Sequence, residues 1–295
     1  MASIQSAMLR FLLRKTVNWN KSLDEVRAFQ ANVAKKPIVP KGMQMEKVTV
    51  GEISAEIFIP AGANTSSMLV YVHGGGYCLG IVHANRNFVM KLSQQLRVPV
   101  ILPDYRLAPE NPYPAALTDM ETLYQWIEAE RNLPMEKVGV LADSSGCGLA
   151  LATHLKRKES DLSLPRFQVF MSPVVDLKRT GKSFKENRQL DPYQLKEDAF
   201  IDNHYLQDQD AENPYISPYY GDLSGMPSTL IQVATYDVFQ SDAEGLAAEL
   251  KEAGVDTDIS VWQKMWHNFQ MSEALLPEGK AAIREISAYI TSKFR

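Results

Sequence analysis

Short apolar segments alternate with longer amphipathic segments along most of this 295-residue chain. The short ones are rich in Val, Ile and Leu, as buried strands are, and the longer ones carry apolar residues at helical spacing. This alternation predicts an α/β fold in which helices cover both faces of a mostly parallel sheet. We predict strands over Val48–Ile59, Met68–Val72, Val98–Leu102, Lys137–Leu141, Phe167–Met171, Thr229–Ala234 and Asp258–Trp262. We predict helices over Ala84–Leu96, Ala115–Glu130, Ser145–Lys158, Ser241–Ala253 and Lys280–Lys293.

Two regions depart from the alternation. Residues 1 to about 40 resemble two helices that end at Pro37 and Pro40, and residues 179 to about 222 are polar and rich in Asp, Asn, Tyr and Pro. Because the second region interrupts the strand–helix order, we expect an insertion that can cover a site. We therefore predict N-terminal cap helices over 1–45 and one main domain over 46–295, with a cap insertion at about 179–222.

Charge, cysteine content and hydropathy limit the partners of the chain. The net charge is −4, so there is no basic excess to neutralise the phosphates of a nucleic acid. Two cysteines cannot form a disulfide framework, which favours reduced thiols and a cytoplasmic protein. No segment has the ~20 consecutive apolar residues of a membrane span, so we expect no stable membrane insertion.

The first predicted helix has an apolar stripe made of Ile4, Met8, Phe11 and Leu12. Such a stripe can contact lipid or an apolar substrate, or it can pack on the protein's own domain. We favour packing on the domain, because only two basic residues border the stripe.

A serine lies at a predicted bend between a strand and a helix. Strand residues lead into Ala142-Asp143-Ser144-Ser145-Gly146, and a helix follows. This is close to the pattern G-x-S-x-G, in which small residues allow a sharp turn that exposes a nucleophilic serine, with Ala142 in place of the first glycine. The alternative is an ordinary strand–helix turn with a capping serine.

A run of glycines follows the strand Met68–Val72, in the sequence His73-Gly74-Gly75-Gly76-Tyr77. Backbone N–H groups of such a loop can approach a ligand with no side chain in the way. They can stabilise the negative charge that builds on a carbonyl oxygen during acyl transfer. The alternatives are a tight turn and a phosphate-binding loop. The phosphate-binding loop is the weaker choice, because the G-x-G-x-x-G and GK[ST] patterns are absent.

A serine nucleophile needs a base, and in folds with this elbow the triad runs Ser, then Asp or Glu, then His. His267 follows the last predicted strand, which is where the base belongs. Asp237 is the first acid after the strand Thr229–Ala234, and Asp242 is the second choice. The order rule excludes His73, His83 and His154, and His204 lies in the polar insertion. We expect Asp143 to be structural.

Together these motifs resemble the hormone-sensitive-lipase-like branch of α/β-hydrolase esterases, bacterial family IV. The residues that carry the resemblance span about 45–295 and are His73-Gly74-Gly75-Gly76, Asp104-Tyr105-Arg106-Leu107-Ala108-Pro109-Glu110, Asp143-Ser144-Ser145-Gly146, Asp237 and His267-Asn268-Phe269. The resemblance implies an α/β-hydrolase fold with a helical cap that shapes the acyl pocket. It also implies roles for individual residues: Ser144 as nucleophile, Asp237 as acid, His267 as base, and the amides of Gly74, Gly75, Gly76 and Ser145 as oxyanion donors.

The resemblance further implies that the stretch from Asp104 to Glu110 braces the site, with Asp104 and Arg106 paired. Three departures from the family pattern concern the elbow: Ala142 replaces a glycine, Ser145 replaces an alanine, and Cys147-Gly148 replaces Gly-Asn. Ser145 would donate through its backbone, so its side chain need not disable the site. We expect Cys147 to pack as a small apolar residue.

The function expected from these residues is that of a serine carboxylesterase acting on short- to medium-chain esters. We expect no cofactor and no metal, because no Cys/His cluster has metal-ligand spacing. The partner would be a small-molecule ester, and a homodimer is possible. A lactone hydrolase with the same triad is the nearest alternative, and a non-catalytic small-molecule receptor on the same fold is a more distant one.

Overall fold

A computed structural model describes residues 2–16, 21–33, 38–193 and 202–295, and it has the predicted α/β architecture. The eight strands form one sheet in the order β1-β2-β4-β3-β5-β6-β7-β8. The six strands β4, β3, β5, β6, β7 and β8 run parallel to one another. Strand β2 pairs antiparallel with β4. The strands are β1 Met43–Val50, β2 Ile53–Pro60, β3 Met68–Val72, β4 Val100–Asp104, β5 Val138–Asp143, β6 Phe167–Met171, β7 Ser228–Ala234 and β8 Thr257–Trp262.

Helices cover both faces of the sheet. They are α1 Ile4–Thr16, α2 Leu23–Val33, α3 His83–Leu96, α4 Ala115–Glu130, α5 Ser145–Glu159, α6 Ser183–Glu186, α7 Gln240–Glu252 and α8 Pro277–Phe294. Successive strand side chains point to opposite faces. Leu69 and Tyr71 of β3 therefore pack with α3 and α8, whereas Val70 and Val72 pack with α4, α5 and α7.

The predicted single strand Val48–Ile59 is wrong. A hairpin replaces it, with β1 and β2 paired antiparallel from Met43 opposite Pro60 to Val50 opposite Ile53. Gly51 makes the turn at φ +57°, a conformation that glycine adopts at little cost. The sequence did not indicate this turn, because strand-forming residues lie on both sides of it. At the other end of the chain, α8 begins at Pro277 instead of the predicted Lys280, since proline is favoured at the first helical position.

The two N-terminal helices pack on the main domain. Leu9 and Leu13 of α1 contact an apolar cluster around Trp266 and Phe269, and Ser3 donates its backbone N–H to Glu278 of α8 at 2.6 Å. The prediction that the stripe of this helix packs on the domain is wrong, because the helix turns Leu9 and Leu13 inward and leaves Ile4, Met8, Phe11 and Leu12 exposed. In α2, Val26 belongs to the main core. The predicted helix end at Pro37 lies outside the described residues, and the chain at Pro40 is not helical.

Arg106 braces the segment after β4, but Asp104 is not the partner predicted for it. Its guanidinium pairs with Asp119 of α4, Nη2 to Oδ1 at 2.7 Å, and also with Glu52 in the β1–β2 turn. Asp119 is buried and also accepts the backbone N–H of Arg106. A helix residue thirteen positions along the chain therefore satisfies the arginine, a contact that sequence spacing does not show.

Candidate active site

Ser144 occupies a sharp turn between β5 and α5. Its backbone has φ +53° and ψ −126°, which an L-residue adopts only where the surrounding structure holds it. The Ser144 N–H donates to Met171 O of β6 at 2.9 Å, and its C=O accepts the N–H of Val174 at 3.1 Å. Gly146 packs so closely on β3 that a side chain would meet the carbonyl oxygen of Val72. The turn forms with Ala142 in place of the usual first glycine.

His267 and Asp237 complete a chain of hydrogen bonds that begins at Ser144. His267 Nε2 lies 3.0 Å from Ser144 Oγ, and its Nδ1 lies 3.1 Å from Asp237 Oδ1. Because an ionised carboxylate can only accept, Nδ1 carries the ring proton and Nε2 accepts from the serine hydroxyl. All three residues are buried, and Asp237 is 0% exposed. The structure thus brings together the three residues that the triad order selected.

The surroundings of His267 favour its charged form. Burial by itself lowers the pKa of this imidazole, but the nearby carboxylates of Asp237, Asp191 and Asp143 outweigh burial and raise the pKa above its usual value. An imidazole with this tautomer and these neighbours can take a proton from the serine and hold it.

The glycine loop after β3 places its amides differently from one another. The Gly74 N–H donates to Asp143 Oδ1 at 3.0 Å, so this amide already serves the carboxylate. Within the described residues, the N–H groups of Gly75, Gly76 and Ser145 have no acceptor. Gly75 has φ +123°, and a Cβ there would lie 2.6 Å from Leu79 O. Only glycine fits this position.

Asp143, the residue before the serine, links three parts of the site. Besides the Gly74 N–H, it accepts the Tyr71 hydroxyl at 2.6 Å and the Asn268 side-chain amide at 2.8 Å. Asn268 adjoins His267 and has φ +53°. Asp143 therefore connects the glycine loop to the histidine loop. We expected Asp143 to be structural, and these hydrogen bonds show which parts of the site it holds together. The sequence offered no signal for Tyr71, since one tyrosine in a buried strand is ordinary core.

The residues that the sequence ranked lower lie elsewhere. His154 is enclosed by the Tyr124 hydroxyl at 3.0 Å and Gln168 at 2.8 Å. Asp242 lies in the first turn of α7, where burial raises its pKa well above the usual value. The carboxylate that binds the imidazole of His267 is that of Asp237. Cys147 is fully buried in the core, and burial raises the pKa of its thiol.

A largely apolar cavity of about 240 Å³ opens beside Ser144 and His267. The glycine loop, the start of α3 and Met271 form part of its wall. The insertion after β6 contributes Arg179, Phe184 and Tyr193. None of the lining residues comes from 2–16 or 21–33, the described parts of the N-terminal helices, and Trp19 lies outside the described residues. The insertion thus lines the cavity, and the described parts of the N-terminal helices do not. The cap formed by 1–45 and 179–222 stays a prediction.

Within the described residues, no three His, Cys, Asp or Glu side chains are grouped so as to hold a metal ion. No helix of the described chain is long and apolar enough to cross a membrane.

Comparison with known proteins agrees with the fold. A family model described as the alpha/beta hydrolase fold matches residues 69–271. An "Esterase" of Acinetobacter venetianus is 32% identical over 236 residues, 79% of this chain and 78% of the relative. An "Acetyl-hydrolase" of Streptomyces hygroscopicus is 32% identical over 300 residues, 98% of this chain and 97% of the relative.

A solved structure described as an esterase from the bacterial hormone-sensitive lipase family is 31% identical to this chain. It superposes with a TM-score of 0.91 and covers 100% of both chains. The chain is therefore a member of the α/β-hydrolase family, in its branch of bacterial hormone-sensitive-lipase-type carboxylic ester hydrolases.

Proposed function

We propose that this chain is a serine carboxylesterase that hydrolyses short- to medium-chain esters through an acyl-enzyme intermediate. The observation that carries the proposal is the chain of hydrogen bonds from Ser144 through His267 to Asp237, beside an apolar cavity. This arrangement supplies a nucleophile, a base and an orienting acid within hydrogen-bond distance of one another.

Acylation starts when Ser144 Oγ attacks the ester carbonyl and His267 Nε2 takes the hydroxyl proton. The imidazolium that forms is stabilised by Asp237, which also holds the ring in the tautomer that accepts at Nε2. His267 then protonates the leaving alcohol as the tetrahedral intermediate collapses to the acyl-enzyme. In deacylation a water molecule gives its proton to His267, attacks the acyl carbon, and releases the acid and free Ser144.

The negative charge of both tetrahedral intermediates needs backbone donors. Gly75, Gly76 and Ser145 supply N–H groups that serve no acceptor within the described residues. We assign the oxyanion site to these three amides and give Gly74 a supporting role, because its N–H binds Asp143. Loss of one oxyanion donor typically costs ~3–4 kcal/mol of transition-state stabilisation.

The cavity supports a preference for short acyl groups. Its volume of about 240 Å³ is below the ~300–1,000 Å³ typical of pockets for drug-sized ligands. Leu79, Val174, Phe184 and Phe239 give the cavity an apolar wall, which suits hydrocarbon chains. A small lactone would meet the same nucleophile, so cyclic esters belong in the substrate test.

The test is a panel of p-nitrophenyl esters from acetyl to dodecanoyl, together with small lactones, on purified protein. We expect a burst of one p-nitrophenol per active site, kcat/KM highest for short acyl chains, and no turnover by Ser144→Ala. Stoichiometric binding of an ester without any turnover would favour a receptor. Turnover of lactones alone would favour a lactone hydrolase.

A further inference from the structure

A short segment of the insertion binds the two loops that carry the acid and the base. Asn187 donates its side-chain amide to Asp237 O at 2.8 Å. Asp191, four residues later, accepts the backbone N–H of His267 at Oδ2, at 3.1 Å. Both residues are buried, and Asp191 is 0% exposed. Residues 187–191, which lie outside the sheet, therefore contact the backbone of both Asp237 and His267.

The other oxygen of Asp191 arranges an aromatic neighbour of the imidazole. Asp191 Oδ1 accepts the Tyr193 N–H at 2.9 Å. The Tyr193 ring stands edge-on to the His267 ring, with centroids 6.3 Å apart and an interplanar angle of 85°. One carboxylate thus holds the backbone of His267 and also the turn that places an aromatic ring against it.

The charge of Asp191 also affects the imidazole of His267. The titratable groups that act on His267 come from three parts of the chain: Asp143 from β5, Asp191 and Tyr193 from the insertion, and Asp237 after β7. Arg179 of the insertion lines the same cavity, and Arg10 of α1 donates to the carbonyl oxygen of Leu190, the residue before Asp191, at 3.1 Å. Burial and the charge of Asp237 raise the pKa of Asp191 to about 7. When ionised, Asp191 in turn raises the pKa of His267.

We propose that Asp191 is a positioning residue for ester hydrolysis, which fixes the loop of His267 and, in its ionised form, adds a second negative charge beside the imidazole that Asp237 orients. The proposal rests on the proposed serine-esterase function. Through this contact the insertion that walls the cavity also sets the placement and the basicity of the base. A purely structural carboxylate would affect folding and leave proton transfer unchanged.

The test compares the pH dependence of kcat/KM for p-nitrophenyl acetate in the native protein, Asp191→Asn and Asn187→Ala. Asp191→Asn keeps the shape and removes the charge, so the rising limb should move to lower pH by about half a unit or more, with a severalfold loss of kcat. Asn187→Ala is the matched control, because it frees the other loop and removes no charge. It should lower kcat and leave the limb in place.

An unmoved rising limb in Asp191→Asn overturns the proposal, whatever happens to kcat or to Tm. If that variant does not fold, Asp191→Ser keeps one acceptor without charge and gives the same test. NMR titration of the His267 ring in a Ser144→Ala background measures the imidazole pKa directly. A lower pKa after Asp191→Asn supports the proposal even if the native protein does not hydrolyse esters, so the two failures are distinguishable.

Discussion

At the scale of single residues, the site depends on a serine held in an unfavourable backbone conformation and on an imidazole among carboxylates. Sequence order pointed to Ser144, Asp237 and His267, and the structure brings these three within hydrogen-bond distance, because parallel strands place their carboxyl ends at one edge of the sheet. Sequence could not show that Gly74 N–H binds Asp143, since this contact joins residues 69 positions apart. Asp191 was missed because the insertion has no periodic pattern.

The nucleophile and the base should act as one unit. We expect Ser144→Ala to lower kcat by roughly 10⁶ and His267→Ala nearly as much, with the double variant little worse. Steady-state kinetics on p-nitrophenyl butyrate measures this, with far-UV circular dichroism as the control for folding. More than about a tenth of native activity in Ser144→Ala would exclude the serine as nucleophile.

The raised pKa of His267 predicts the direction of the pH profile. The base must be neutral to accept the serine proton, so kcat/KM should be low in acid and rise as the imidazole loses its proton. Because the carboxylates raise this pKa, the midpoint should lie above the ordinary value of about 6.5. The profile of kcat/KM against pH gives the midpoint, and a midpoint below that of free histidine would contradict the carboxylate environment.

At the scale of elements, strand and helix patterns in the sequence predict the regular segments, but the turns and the packing of helices depend on contacts that the patterns do not show. The bounds of β3 and β6 agree with the sequence prediction, because both are short apolar runs with clear ends. The hairpin of β1 and β2 was missed because only Gly51 and Glu52 separate two strand-forming stretches. The described parts of the N-terminal helices pack on the core, and their expected role in shaping the acyl pocket stays a prediction.

The glycine loop should tolerate no side chain at Gly75. Gly75→Ala places a Cβ 2.6 Å from Leu79 O at φ +123°, which displaces the amides assigned to the oxyanion. We expect kcat to fall by about 10² or more, as for the loss of an oxyanion donor. Gly62→Ala is the matched control, because Gly62 also has positive φ and its Cβ would meet nothing within 4 Å. Equal kcat losses in both variants would rule out a specific role for the loop.

The inner face of α1 should contribute to stability and the outer face should not. Leu13 packs on the cluster around Trp266, whereas Met8 on the same helix is 65% exposed. Leu13→Ala should lower the free energy of unfolding by about 1–2 kcal/mol, and Met8→Ala should change it by less than about 0.5 kcal/mol. Thermal or urea unfolding measures both. A larger effect at Met8 would show that its face is covered in solution.

At the scale of the whole molecule, one sheet edge collects residues from distant parts of the chain. β3 leads into the glycine loop, β5 into the serine, β7 into the acid and β8 into the base, while the insertion after β6 lies against the cavity they surround. The alternation of strands and helices predicted a mostly parallel sheet with helices on both faces, which the structure has. It could not predict the cavity, whose wall depends on side-chain packing in an aperiodic insertion.

The central claim is that Ser144 is the nucleophile of the esterase reaction. The most direct measurement is intact-mass and peptide mass spectrometry after inactivation with a p-nitrophenyl alkylphosphonate, which a serine made reactive by the His267 base attacks. We predict one phosphonyl adduct per chain, located on Ser144, that forms in step with the loss of activity and is absent from Ser144→Ala. Loss of activity with the adduct on another residue, or full activity with Ser144 modified, would contradict the account.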